Sequence, residues 1–580
     1  MYDLLIQNGK IVDGTGKSAF AGNVAIQDGQ IAGIGKVDGH ARRKINANGQ
    51  LVAPGWVDVH THFDGQASWD PLLTPASNQG TTTVIMGNCG VGFAPCKPDE
   101  HEMLISVMED VEDIPGAALT EGITWEWESF PEYLDAMERL PRAIDIGSQV
   151  PHCAVRCYVM GARGARNEKA TEDDIRQMAD IVRQGIDAGA VGFTTSRTKL
   201  HITRQGEVMP GTYADEDELL GIGSTLGEIG KGVYGLVSDF DDWEKEMDWM
   251  KRLSIKTRRP INFVLFFRKE EEFSRAQKQL QYVKDAEKEG ALLIPHVGAR
   301  PVNILMGFDC TVHPFMLHQS YAPLAALPWK ERLAKLRDPA VRAAILAEKV
   351  AVPHTGTENT QEILEAVVRD FDRFYVLGSP PDYEPTPEQS IASIARREGR
   401  EPKAVAYDTL LKDDGKELLY FPNFGYDSGD FSRQLALMKD SSTVISLADS
   451  GAHCGVLCDA TVPSHLLSYF VRDRDRGERL PLEWAVRSHT RDTARCVGLY
   501  DRGTLEPGMK ADLNIIDFEN LQLQKPEVIY DLPAGGRRVS QTVSGYTATV
   551  VSGEVIYEKG EHTGALPGKL IRGGQSAPTA

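Results

Sequence analysis

VAPGWVDVHTHFD, residues 52–64, is an apolar run that enters through a Pro-Gly turn and ends in two histidines one residue apart, with an acid close behind. Read as a strand over Val52–His60, it sends alternate side chains to opposite faces, so His60 and His62 point the same way. Two imidazoles on one face at the carboxyl end of a buried strand can grip one metal ion. A pair of satisfied polar residues at a strand end is the plainer alternative. The apolar run, the turn and the trailing acid weigh for metal.

Working outward, seven more segments have the apolar, β-branched character of buried strands: Thr82–Gly87, Ala143–Val150, Ala190–Ser196, Val233–Ser238, Ile261–Phe266, Ala291–Val297 and Thr443–Ala448. Helical patterns separate several of them, at Thr171–Ala188, Asp215–Ile229 and Glu270–Glu289, the first opened by a Thr171/Asp174 capping box. Eight strands with helical returns predict an α/β fold of the (β/α)8 TIM-like barrel type over residues 55–498. Two stretches, about 300–349 and 370–429, do not fit the repeat and are read as insertions forming a lid over the barrel mouth.

The segments before and after this core alternate with period two and are punctuated by Asn8-Gly9, Asp13-Gly14, Asp28-Gly29 and Asn48-Gly49, which is hairpin chemistry. Residues 1–54 and 499–565 are therefore expected to form one small β-sandwich domain from both termini. Residues 566–580, rich in Gly, Pro and Ser, read as a flexible tail. Asp13-Gly14-Thr15-Gly16-Lys17-Ser18 superficially suggests a phosphate-binding loop, but Ile11 stands where that motif needs glycine, so a hairpin turn is expected.

A barrel of this kind carries its active site at the carboxyl ends of its strands. The first strand delivers His60 and His62. The second, TTTVIMGNCG, delivers Cys89, either a metal thiolate or a small buried hydrophobe. The third leads to His152 and Arg156, and the fourth to Arg197 with His201 following. Arg197 has the fork needed to clamp a carboxylate, or pairs on the surface. The eighth, STVISLADSGAH, delivers Asp449 with His453 behind it. A carboxylate there can hold a metal through one oxygen and take a proton from water with the other. A helix-capping role is the plainer reading of Asp449.

Composition narrows the function class. Of 580 residues, 41% are hydrophobic and 25% charged, with a formal net charge of −20. Nucleic acid and anionic membrane both call for a basic face, so neither is an expected partner. No run approaches the ~18 apolar residues of a membrane span, and the opening MYDLLIQNGKIVDG does not read as a signal peptide. Eight cysteines without dense, regular spacing point to free thiols and a cytoplasmic setting. The i, i+4 pairs Cys153/Cys157 and Cys454/Cys458 lack a second pair at zinc-finger spacing.

DLLIQNGKIVDGTG, APGWVDVHTHFD, TTTVIMGNCG, DAGAVGFTTS, LADSGAH and LEPGMKADLNIID together give a chain that resembles the amidohydrolase superfamily and, through the NCG segment, its N-acyl-D-amino-acid deacylases. The matching pieces span Asp3 to Asp517. The resemblance implies a barrel with a β-sandwich, zinc surrounded by His60, His62, Cys89 and Asp449, and hydrolysis of an amide by activated water with Asp449 as general base. It also exposes a departure. Those deacylases carry histidines at the ends of the fifth and sixth strands, where this chain has GVYGLVSDF and INFVLFF, with Val237 and Leu265 at the corresponding places. One metal is therefore expected, zinc by default and another divalent ion as the alternative, held by His60, His62 and Asp449 and completed by Cys89 or water. Asp239 and His453 stand in reserve. Arg197, Arg300, His201, His152 and His453 are the candidates for contacting a small-molecule amide substrate. A ring-opening hydrolase of cyclic amides and a non-catalytic binding protein on the same scaffold remain open, as does association into a homo-oligomer.

Overall fold

The computed structural model describes residues 1–203 and 206–578. Eight parallel strands form one curled sheet: β1 Trp56–Asp58, β2 Thr81–Met86, β3 Asp145–Pro151, β4 Gly192–Arg197, β5 Val233–Ser238, β6 Ile261–Val264, β7 Leu293–Val297 and β8 Val444–Ile445. Neighbours pair in chain order, β1 with β2 through β7 with β8. The barrel closes beyond the strand ends, where Thr61 bridges Ser450 and the His62 amide donates to the Ser450 carbonyl at 2.8 Å. Helices Glu172–Ala188, Glu216–Ile229 and Glu270–Lys288 return the chain between strands, the first with the Thr171/Asp174 capping box in place.

The first and last barrel strands fall furthest short of their apolar runs, at three and two residues. The run Val52–His60 is divided between two sheets: Leu51–Pro54 joins the terminal β-domain and Trp56–Asp58 joins the barrel. Gly55 makes the transfer, and only a glycine fits, since a Cβ there would lie 2.2 Å from Thr82 Oγ1. The eighth run, expected over Thr443–Ala448, keeps only Val444–Ile445 in the ladder because Leu447 turns to φ +72° and Asp449 to φ +45°.

Both termini build one nine-stranded sheet, in which Leu51–Pro54 lies between Tyr2–Ile11 and Leu513–Ile516. Its core includes Leu4, Ile6, Val24, Leu513, Ile515 and Val550. The Asp13–Ser18 segment is a turn in which Asp13 Oδ1 accepts the Thr15 amide at 2.8 Å. The two insertions prove to be parts of one unit. A three-stranded sheet of Val302–Met306, Tyr375–Val376 and Leu419–Phe424 shares a core with surrounding helices, Phe308, Phe315, Tyr407 and Phe421 among it.

Residues 567–575 of the tail are docked rather than frayed. Gly568 and Ile571 amides bond to the Arg142 and Ile146 carbonyls at 2.9 and 2.7 Å, and Arg572 reaches Asp135 and Glu138. Ile571 is buried against Val57, Ile85, Val191 and Val233, plugging the amino-terminal end of the barrel. Glycine and proline content alone does not reveal such a receptor surface. No helix among the described residues is long and apolar enough to cross a membrane.

Candidate metal centre

Three strand ends converge on one point. His60 Nε2 lies 3.2 Å from Asp449 Oδ1 and 3.2 Å from Cys89 Sγ. His62 Nε2 lies 3.7 Å from the same Asp449 oxygen. The ligand atoms of His60, His62 and Cys89 all fall within 4.8 Å of one another. The edge of a tetrahedron with 2.0–2.3 Å metal bonds is about 3.3–3.8 Å, so these separations fit one shared cation. Two imidazoles, a thiol and a carboxylate are also a donor set suited to a divalent transition metal.

Local structure explains each placement. Gly87 turns to φ +78°, and a Cβ on it would meet the Gln149 carbonyl at 2.3 Å. That turn is locked by Asn88, whose Nδ2 donates to the Thr61 and Ile85 carbonyls while its Oδ1 accepts from Gln149. Cys89 is thereby held at φ +54°, with its Sγ beside His60 Nε2. Asp449 and His453 are likewise left-handed, at φ +45° and +50°. Non-glycine residues in this region store strain, and their clustering at one place marks a site whose geometry the surrounding fold enforces.

The electrostatics suit cation binding. Burial pushes the His60 imidazole down to about 4, leaving it neutral with a lone pair at neutral pH. Burial opposes ionisation of Asp449, yet His60, His62 and His453 together hold its carboxyl well below the usual carboxylate range. Burial raises the Cys89 thiol to about 12, so it becomes a thiolate only beside a positive charge. For His62, burial favours the neutral form, but the Glu112 carboxylate and the contacts with Asp449 and Cys89 raise its pKa well above normal.

Glu112 escaped the sequence reading. It ends the helix His101–Glu112, is 1% exposed, and places Oε1 3.7 Å from His62 Nδ1 and Oε2 3.5 Å from His453 Nε2. Neither oxygen has a hydrogen-bond partner, and neither does His62 Nδ1. A charge buried in this way calls for a cation nearby. In sequence it belongs to the acidic run Glu109-Asp110-Val111-Glu112-Asp113, which resembles an ordinary solvated helix end.

Other candidates divide. His201 and His453 line the cavity over the cluster, and burial lowers His201 to about 4. Arg197 does not face it: its guanidinium is spent on Glu246, at 2.7–3.0 Å, and on the Ala214 carbonyl. Arg300 is 2% exposed, ion-paired with Asp459, bonded to Thr461 and stacked over Tyr383. His152 is fully buried between Thr195 Oγ1 and Glu218 Oε1. Asp239 accepts from Thr198 Oγ1 and the Lys199 amide, fixing the loop rather than a metal. All eight cysteines are free.

This geometry sits within a recognisable lineage. The model of the amidohydrolase family matches residues 43–557. The chain belongs to the amidohydrolase family. An uncharacterised Mycobacterium tuberculosis protein is 26% identical over 97% of this chain and 93% of its own. A D-aminoacylase of Alcaligenes xylosoxydans xylosoxydans is 31% identical over a shorter stretch, 33% of this chain and 37% of that one. The crystal structure of N-acyl-D-glutamate deacylase from Bordetella bronchiseptica, complexed with zinc and a phosphonate inhibitor, shares the fold with a TM-score of 0.65 at 21% identity, covering 98% of this chain and 99% of the other. In this amidohydrolase, Val237 and Leu265 line the cavity at the fifth and sixth strand ends.

Proposed function

We propose that this amidohydrolase is a metal-dependent hydrolase of an amide bond in a small molecule, with one zinc ion per chain held by His60, His62 and Asp449 and with Cys89 completing the set. The observation that carries the reading is the convergence of Asp449 Oδ1 and Cys89 Sγ on His60 Nε2, each 3.2 Å from it. The bound cation would supply Lewis-acid polarisation of the amide carbonyl and acidify water.

The chain's own residues do the rest. Asp449 is held ionised by the surrounding imidazoles, so its second oxygen accepts the proton of the attacking water and returns it to the departing amine nitrogen. His60, neutral at pH 7, holds its place beside that carboxylate. His62 is fixed between Asp449 and Glu112. His201 and His453 line the cavity and are the side chains placed to contact the substrate.

Elemental analysis of the purified protein tests this directly. The expected outcome is close to one equivalent of divalent metal, removed by a chelator together with amine release from an N-acyl amine and N-acyl amino acid panel, and restored by zinc. Metal-free protein that hydrolyses the panel at full rate would refute the proposal.

A further inference from the structure

The cavity above the metal cluster has a volume of about 1280 Å³, which exceeds the ~300–1,000 Å³ usual for a small-molecule site. It is wide enough for a substrate with a sizeable substituent. What lines it beside the cluster is apolar. Val237, Val264 and Leu447 pack as one group with Cys89 and Phe266 against them, and Leu265 adjoins. The Leu447 backbone is left-handed, with φ +72°, a conformation a leucine adopts only when the surrounding structure compels it.

The charges complete the picture. The arginines the sequence offered for an anionic substrate are consumed elsewhere, Arg197 by Glu246 and Arg300 by Asp459. Carboxylates outnumber cations among the described lining residues: Glu112, Asp239, Glu271 and Glu272 are four of them, and of the cations Arg268, Lys269 and Arg275 the first two pair with Glu362. A lining of that sign disfavours a second anion beside the one the reaction itself generates.

We infer that the amide this enzyme cleaves carries an apolar acyl group, seated on the Val237–Val264–Leu265–Leu447 wall beside the metal cluster, and no carboxylate next to the scissile bond. This rests on the metal-dependent reading above and narrows it: N-acyl amines with aliphatic or aromatic acyl groups are substrates, and N-acyl amino acids are poor ones. A methylene moved from water onto such a wall gains about fourfold in affinity.

Alkanoyl hydroxamates provide the probe, since the hydroxamate chelates a divalent cation and the alkyl chain stands for the acyl group. Calorimetric titration of the zinc-loaded protein with the aceto-, butano-, hexano- and octanohydroxamates is expected to show Kd falling about fourfold per added methylene. The monohydroxamate of adipic acid, with a terminal carboxylate, is expected to bind at least about tenfold more weakly than hexanohydroxamate. Val237→Asp should flatten the series. Leu265→Asn serves the same purpose should Val237→Asp not fold. A flat series in the wild type, or tighter binding of the carboxylate-terminated probe, overturns the inference and leaves the metal-dependent reading standing. No binding of any hydroxamate by folded, zinc-treated protein overturns both.

Discussion

The two ends of the barrel are built on opposite principles. At the amino-terminal end, buried charge is paired. Asp145 receives Arg502 at 2.7 Å, Lys510 at 3.1 Å and the Lys569 amide at 2.8 Å, and Arg502 also reaches Thr83 and Asp501. Ile571 from the docked tail closes the floor. At the carboxyl-terminal end, Glu112 lies buried near His62 and His453 with neither oxygen hydrogen-bonded, and Cys89, Leu447, Asp449 and His453 all hold left-handed backbones. One end spends its interactions on stability. The other keeps strain and unmet polar groups that a ligand can satisfy, as expected where a barrel places its chemistry.

The sharpest way to break the comparison is at Asp449. Asp449→Asn preserves shape and removes the proton acceptor, so the rate of amide hydrolysis should fall by about 10²–10⁴, and the thermal midpoint should fall modestly because the imidazoles that hold Asp449 ionised lose their anionic partner. A variant that kept its rate would remove Asp449 from the role of base.

Arg502→Met asks the converse question at the floor. Asp145 would be left buried with one strong partner fewer, which costs on the order of 3–5 kcal/mol. The apparent melting temperature should drop clearly while kcat of the folded fraction stays within about twofold. A large loss of kcat at unchanged stability would show that the floor communicates with the mouth.

Glu112→Gln sharpens the contrast from the site side. In the metal-free protein the substitution removes the buried ion pair with His62 and should lower the melting temperature. It also removes the charge beside His62, and loss of such an outer partner typically weakens metal binding by 10–100-fold. Competition with a chromophoric chelator measures that loss. Unchanged zinc affinity would show that Glu112 is a bystander.

How much of this was legible in the sequence follows from the range over which each feature is determined. His60, His62, Cys89 and Asp449 stand at the ends of apolar runs, and strand alternation with barrel topology brings such ends together, so local pattern sufficed. Arg197, Arg300 and His152 looked available because their partners are remote: Glu246 is 49 residues away, Asp459 is 159 and Glu218 is 66. Glu112 was hidden for the same reason, since its burial comes from helix His101–Glu112 packing over the mouth, not from its own segment. The tail was misread because its receptor strand, near Ile146, lies more than four hundred residues upstream.

The smallest expected effect separates the two ends by the sign of their response to pH. Burial alone would raise Asp145, but Lys510 and Arg502 hold it below its ordinary 3.8. It therefore contributes stability that is fully present above that value and is lost as acid carries the pH down through the folded pKa. Asp58, beneath the metal cluster, behaves oppositely. Burial raises it from 3.8 to about 7, against the opposing bonds from the His60 amide and Ser450. The folded state then keeps a proton that the unfolded chain releases, so stability drains as pH rises from about 4 toward 7. In chelator-treated protein, the step from pH 6 to pH 7 should cost at most ~1.4 kcal/mol through this one group. Asp58→Asn should reduce that slope without touching the acid limb, and Asp145→Asn should do the reverse. Identical pH profiles for the two variants would mean that floor and mouth are not electrostatically distinct after all.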